Sequence, residues 1–515
     1  MMRQFIATYA RIPSRVSRRQ ALFQKQIVWL TFFFVAALFF TRLGHRDLVS
    51  SHEARAAQNA QNMLNTGAWD LPTLFDGRRD LQKPPGYYWL VASVGWLCGG
   101  RVDEWAARAP AALAGLICVV AVYASLWIRG RPTAAVCAAL VLATANHFMG
   151  LARTARIDIP LTCAVTVALI AFQQGCTPVD STWTSKRRVA GSAILWHLLA
   201  AVAAASAALL KGPVALALIV PAALAWIIIE RPPVPNISWL MIPLVVAGVS
   251  LPWFLWANHI TNGEFAREFF WHHTIARFAG TSPLLATHPW WYYLPRFALD
   301  FLPWTPMLIG LAIWSLYTGR WRADSTLRFG VIMFTMMFLV LSSARFKRAD
   351  YLLPAYPFAA IVLASTAETW WNSRILPLTK QYGRWVFGSA IFIAVGIWLI
   401  MHFGVEPAIQ AREQKRTFAT MIRHYAPAPQ PILQFRMESH LLSFHLGPPL
   451  RTLVEWEELN EFLSAPGQHF VVMPPEYVHA TGQIITKRKL VVIGRLDEWI
   501  QGKPDRSLVF LRTED

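Results

Sequence analysis

Apolar residues along this chain come in long, nearly unbroken runs separated by polar loops, with none of the alternation that marks a strand. Several runs approach the roughly 20 residues a helix needs to cross hydrocarbon, which favours spanning helices over a β-barrel. The first, 27–43, follows a stretch with Arg3, Arg11, Arg15, Arg18, Arg19 and Lys25 and no acidic residue. That excess of positive charge predicts a cytoplasmic N-terminus. No small-residue cleavage site follows the run, so it reads as an uncleaved anchor. Further runs lie at 108–128, 133–150, 158–174, 192–210, 213–229, 238–257, 301–318, 327–343, 351–371 and 385–404. With an odd number of crossings, Arg129, Arg131, Arg231, Arg320, Arg322, Arg384, the basic residues at 186–188 and the pair Arg374 and Lys380 all fall in cytoplasmic loops. The long loops 44–107 and 258–300 and the chain after 404 then share the opposite side.

After residue 405 the pattern becomes that of a soluble unit. A helix-like stretch at 410–425 and another at 456–463 accompany short β-like runs at 432–435, 470–473, 490–493 and 508–511. The predicted fold is therefore an all-α polytopic membrane bundle of about 11 to 13 transmembrane helices, with a long extracytoplasmic first loop and a small C-terminal α/β domain. Its expected parts are a cytoplasmic N-terminus (1–26), a membrane domain (27–404) and an outer α/β domain (405–515).

Composition agrees with that layout. Over 515 residues, 55% hydrophobic and 15% charged content excludes an ordinary soluble protein. Lys and Arg total 48 against 29 Asp and Glu, but the cytoplasmic loops account for much of the excess, so no nucleic-acid partner is expected. Cys98, Cys118, Cys137, Cys163 and Cys176 show neither paired nor metal-type spacing and read as packing residues.

The remaining polar residues converge on the outer side. The first outer loop holds Glu53, Arg55 and Lys83; Arg153, Arg156 and Asp158 sit at the next outer junction, and Lys211 caps a span before Gly212-Pro213. The second outer loop carries His272, His273, Arg277 and His288, and a short turn holds Arg345, Lys347, Arg348 and Asp350. That turn breaks the positive-inside rule, so its charges call for a ligand or a different threading. An anionic lipid head group meets that need, because Arg binds phosphate as a fork and Lys as a point charge. Glu53 and Asp158 are candidate carboxylates for proton transfer, with an ion pair to Arg153 or Arg156 as the structural alternative for Asp158. Tyr87-Tyr88-Trp89 and Trp290-Trp291-Tyr292-Tyr293 suit an interfacial belt or a sugar-stacking surface.

In order, His52-Glu53-Ala54-Arg55, Gly67-Ala68-Trp69, Gln82-Lys83-Pro84-Pro85, Ala152-Arg153 with Asp158, Leu210-Lys211-Gly212-Pro213, Phe269-Phe270-Trp271-His272-His273 with Arg277-Phe278, Tyr292-Tyr293-Leu294-Pro295, Phe301-Leu302-Pro303-Trp304 and Lys347 with Tyr351-Leu352-Leu353-Pro354 form a set. The set resembles the GT-C membrane glycosyltransferases, in particular the aminoarabinose transferase and protein mannosyltransferase branch, over residues 27–370. The resemblance implies inverting transfer of a sugar from a polyprenyl-phosphate donor to a lipid, glycan or protein acceptor, by a monomer of the bacterial inner membrane with a periplasmic site. It further implies donor phosphate held by Lys83, Lys211, Arg345 and Lys347, with Arg55, Tyr87, Tyr88, His273, Arg277 and Tyr351 as further substrate contacts. The family's first-loop aspartate, its proposed base, is replaced by His52, which leaves Glu53, His52 and Asp158 as candidates. The glutamate linked to zinc in the aminoarabinose transferases is Gln82 here, a poor zinc ligand, so no metal is expected. A transporter or flippase of an anionic lipid or glycan is the competing class, disfavoured because the polar residues crowd one face instead of the midplane.

Overall fold

A computed structural model describes residues 18–176, 186–281, 285–373, 377–410, 414–485, 488–497 and 507–514. The basic stretch with Arg3, Arg11 and Arg15 lies outside the described residues, as do Arg374 and the side chains of Arg18, Arg19, 186–188 and Lys380. The chain runs through α1 (Arg18–Phe40), α2 (Ser51–Thr66), α3 (Gly86–Leu97), α4 (Glu104–Trp127), α5 (Pro132–Thr144), α6 (Asp158–Cys176), α7 (Lys186–Lys211), α8 (Pro213–Glu230), α9 (Asn236–Ile260), α10 (Tyr293–Asp300), α11 (Thr305–Thr318), α12 (Ser325–Ser343), α13 (Tyr356–Asn372) and α14 (Pro377–Ile400).

Among the described residues, eight helices are long and apolar enough to cross a membrane, or nine if α10 and α11, bent by 111°, form one broken span. Apolar helices in α1 and α5 are shorter. Every predicted run lies on one of these elements, and the expectation of 11 is reached only by including the bent pair and the two short helices. Hydropathy merges what backbone chemistry divides: the run 133–150 is interrupted at Ala145, in extended conformation, and Pro303 falls in the turn between α10 and α11. Local signals set several boundaries. Asp103 and Asp324 cap α4 and α12 by accepting from Ala106 and Leu327 N–H, and Pro213 opens α8 at a position where its missing N–H costs nothing. In the bundle α6 is buried along most of its length, whereas α9 and α14 present mainly exposed apolar faces.

The first loop folds into α2 and α3 at one end of the bundle, and Gly86 sets how closely α3 meets α7. A Cβ there would lie 2.6 Å from the Leu209 carbonyl oxygen, an atom of a rigid helix backbone. Gly86→Ala is expected to cost about 1 to 3 kcal/mol through forced separation of the two helices. A thermal melt unchanged from the parent would contradict this contact.

The C-terminal unit holds α15 (Lys415–Tyr425), β1 (Ile432–Phe435), α16 (His440–Leu446), β2 (Leu450–Leu453), α17 (Trp456–Ser464), β3 (Phe470–Met473), β4 (Leu490–Leu496) and β5 (Leu508–Thr513). The sheet order is β2-β1-β3-β5-β4, with β2, β1 and β3 parallel and β5 antiparallel to both its neighbours. β1 and β3 are buried on both faces, which is why they read as continuous apolar runs. This unit grips the first loop: Phe75 enters its core beside Phe418 and Ile422, Gln58 donates to the His440 carbonyl at 2.7 Å, and Thr452 donates to Asp76 at 2.6 Å. Arg416 adds ion pairs to Asp47, at 2.5 Å, and to Glu104.

No cysteine among the described residues is in a disulfide. Four are buried as expected of packing residues, but Cys98 is exposed, because it lies in the turn that ends α3.

Candidate active site

One cavity of about 210 Å³ opens between the first loop and the spans. Its polar wall is built from five separate segments: His52, Arg55 and Lys83 in the first loop, Arg156 and Asp158 at the start of α6, Lys211 at the end of α7, His273 and Arg277 in the second loop, and Arg348 and Tyr351 in the turn before α13. The opposite wall is apolar, formed by Leu161 of α6, Val214, Ala217 and Leu218 of α8, and Val340 and Leu341 of α12.

Local chemistry places these groups. Ser50 caps α2 by accepting from Glu53 N–H, so His52 and Arg55 lie in the first turns of that helix. Lys211 and Pro213 flank Gly212, whose φ of 66° suits a residue without Cβ; a side chain there would also strike the Phe269 ring at 2.3 Å. The chain therefore reverses sharply, leaving the Lys211 ammonium 2.9 Å from Asp158 and 4.3 Å from the centre of the Tyr351 ring.

Six cations line the cavity (Arg55, Lys83, Arg156, Lys211, Arg277 and Arg348) against one lining carboxylate, Asp158. Two further carboxylates brace them from behind. Asp80 pairs with Arg55 at 3.0 Å, and Asp350 with Arg156 at 2.5 Å and Arg348 at 3.3 Å. Asp158 is itself paired twice, to Lys211 and to Arg156 at 3.4 Å. Lys83 stands apart, since among the described residues it makes no hydrogen bond or ion pair. Burial pulls its pKa down to about 8, with Asp158 and Asp80 opposing the fall and Lys211 and Arg55 adding to it. An unpaired, desolvated ammonium in a cationic cleft is arranged to receive an anion.

Ten of the thirteen side chains expected at the site line this cavity; Glu53, Arg345 and Lys347 do not. Glu53 is completely buried, 2.9 Å from Arg108 Nε, and accepts from the Val49 and Ala155 amides. Burial alone would raise its pKa, but Arg108 holds it below the ordinary value. Its carboxylate thus fastens the first loop to the segment before α6 and does not line the cavity. Lys347 is buried and donates to the His288 and Ala344 carbonyls, and Arg345 is exposed while its backbone pairs with Phe278 and His288. The cation that this turn sends into the cavity is Arg348. Tyr87 and Tyr88 are buried, not interfacial, and their hydroxyls bond the Ala107 carbonyl and Asp80, leaving ring surface for the cavity. Trp290 and Trp291 are exposed, as a belt requires.

Arg156 and Arg348 are the charged cavity residues not selected from sequence, although both stood in the polar clusters singled out there. Asp80, which accepts from Asn59 and Tyr88 as well as pairing with Arg55, carried no signal beyond its place in the loop. The residues at the zinc-linked position do not fit that metal. Gln82 Oε1 accepts from Arg55 Nη1 at 2.5 Å, and a cation fixed on a neutral amide leaves no donor set for a second cation.

The chain's fold is close to that of ArnT from Cupriavidus metallidurans, solved bound to undecaprenyl phosphate, with a TM-score of 0.73 at 20% identity over 94% of this chain and 97% of that one. It is also similar to the archaeal oligosaccharyltransferase AglB from Archaeoglobus fulgidus, solved with an inhibitory peptide and a dolichol-phosphate, at TM-score 0.56 and 12% identity over 91% and 71% of the two chains. In sequence it is 30% identical to an undecaprenyl phosphate-alpha-4-amino-4-deoxy-L-arabinose arabinosyl transferase of Shewanella sediminis, across 82% of this chain and 75% of that protein. A transferase of the same description from Edwardsiella ictaluri is 32% identical across 66% of this chain and 59% of its own length. With these relatives in sequence, the apolar helical bundle and its cationic cleft are those of a membrane glycosyltransferase. Residues 26–305 match the dolichyl-phosphate-mannose-protein mannosyltransferase family, and the chain belongs to it.

Proposed function

We propose that this protein moves a sugar, with inversion, from a polyprenyl-phosphate donor to an anionic oxygen of an envelope lipid or glycan, at the periplasmic face of a bacterial inner membrane. Unpaired Lys83 carries this reading, because a lipid phosphate supplies the countercharge that the protein withholds. The relatives named as undecaprenyl-phosphate-dependent transferases support that donor. Arg277, Arg348 and Lys211 complete the cationic pole, and the apolar wall of α6, α8 and α12 takes the first isoprene units. The periplasmic orientation rests on Arg131, Arg320 and Arg322, which lie at the other end of the bundle where the positive-inside rule expects the cytoplasm.

In the transfer, the bond between the anomeric carbon and the donor phosphate oxygen breaks, and its electron pair leaves with polyprenyl phosphate. The phosphate gains one negative charge, which the fixed cations stabilise without a general acid. The acceptor oxygen attacks from the opposite face of the ring with a lone pair of its own. An ionised acceptor needs no base, and Asp158, held by Lys211 and Arg156, serves to fix those cations in place.

Purified protein incubated with a labelled undecaprenyl-phosphate sugar and bacterial envelope lipids should give a labelled lipid and an equal amount of free undecaprenyl phosphate. Phosphatase treatment of the lipids beforehand should abolish the product. A product that survives dephosphorylation would place the acceptor among hydroxyls, and movement of intact donor between leaflets with no new bond would instead make the protein a flippase.

A further inference from the structure

Two imidazoles in the cavity wall are each partnered by a guanidinium. His52 Nε2 lies 3.4 Å from Arg348 Nη1, and His273 Nδ1 lies 2.6 Å from Arg277 Nη2. A guanidinium offers only donors, so the nitrogen facing it must hold a lone pair. The ring proton then sits on the other nitrogen, Nδ1 in His52 and Nε2 in His273. Neither of those nitrogens has a protein partner among the described residues, and both side chains line the cavity.

We infer that His52 and His273 are neutral hydrogen-bond donors to substrate oxygen, locked in opposite tautomers by Arg348 and Arg277, and that neither acts as a base. This deepens the lipid-phosphate reading and rests on it. The surrounding charges point the same way. His52 faces Lys83, Arg156 and Arg348 with Asp158 as the one opposing carboxylate, and burial together with those cations takes its pKa down to about 3. His273 faces Arg277, Arg55 and Lys83, opposed by Asp80, and falls to about 4, chiefly through burial. Protonation of either ring would aim a cation at its own guanidinium, so both stay neutral across the working pH range. At position 52 the exchange of a carboxylate for an imidazole thus converts an acceptor into a donor, which suits an anionic phosphate oxygen of the lipid.

Geometry makes the proposal specific, because the amide nitrogen of Asn lies near where Nδ1 of a histidine would be and that of Gln near Nε2. In full-length protein in lipid nanodiscs, undecaprenyl phosphate should bind His52→Asn and His273→Gln within about threefold of the parent, and His52→Ala and His273→Ala about tenfold more weakly. The crossed variants, His52→Gln and His273→Asn, should behave like alanine. Any change in parent affinity between pH 5.5 and 7.5 should be that of the ligand's own phosphate, whose second ionisation lies at about pH 6, and should persist unchanged in His52→Asn and His273→Gln. In ¹⁵N-histidine spectra of the unliganded parent, the resonances lost in His52→Asn and His273→Gln should report Nδ1–H and Nε2–H forms respectively. A titration near pH 6.5 that disappears in His52→Asn, the reverse tautomers, or alanine variants that bind like the parent would overturn the inference. If the parent binds no undecaprenyl phosphate at all, the donor reading fails, and the tautomers of the unliganded protein still decide the histidine roles.

Discussion

Lys83→Met is expected to weaken binding of undecaprenyl phosphate by about 10- to 100-fold and, in the same protein, to raise the melting temperature of the unliganded state. The loss follows from removing a charge-assisted contact worth about 1.5 to 3 kcal/mol. The gain follows from the cost of keeping that ammonium in a partly desolvated, cationic cleft without a partner. Its pKa falls from the ordinary 10.5 to about 8 in the folded chain, a shift that corresponds to as much as about 3 kcal/mol of lost stability at neutral pH. A lowered lysine pKa penalises the folded state in full below about pH 8, and the penalty fades as pH rises toward 10.5, where the unfolded chain also gives up its proton. The stabilisation by methionine should therefore be largest below pH 8. Phosphate binding selects the protonated form, so parent affinity should decline above about pH 8, a limb absent from Lys83→Met. Titrations and melts at several pH values check both arms. Equal affinity in parent and variant would remove Lys83 from the phosphate site.

Glu53→Gln is expected to act on folding instead of chemistry. The substitution strips the charge partner from Arg108, which is 1% exposed, and breaking a buried pair in this way costs about 3 to 5 kcal/mol. Arg108 also binds the Leu43, Arg46 and Asp47 carbonyls, so the damage should spread along the chain that leads into α2. Glu53→Gln combined with Arg108→Met should recover part of the lost melting temperature, since no stranded guanidinium remains. Because Arg108 holds the Glu53 pKa below the ordinary 4.5, this stabilisation is present at neutral pH and is lost as acid protonates the folded-state carboxylate. A variant that melts like the parent yet transfers sugar at least a hundredfold more slowly would return Glu53 to the reaction.

The spans were legible because lipid demands continuous apolar runs, and the outer clustering of charge was legible because hydrocarbon makes each intramembrane ion conspicuous. Which charge enters the cavity was not. Glu53 sits one residue from His52, yet α2 turns one inward to Arg108 and the other toward Arg348, a rotation of about 100° that composition does not register. Lys347 and Arg348 are likewise adjacent, and the backbone, bent at 344–346 and extended at Arg348, decides that the lysine caps local carbonyls while the arginine reaches Asp350. Asp80 escaped notice because its partners, Asn59, Arg55 and Tyr88, are joined only by the folded loop.

The apolar wall contains Ala217, an exposed residue of α8, so the cavity runs out to the surface of the bundle that meets lipid tails. A substrate arriving there never dissolves in water and diffuses in two dimensions. The effective concentration is then its mole fraction in the bilayer, and the turnover rate should fall when inert phospholipid is added at constant total amounts of enzyme and donor.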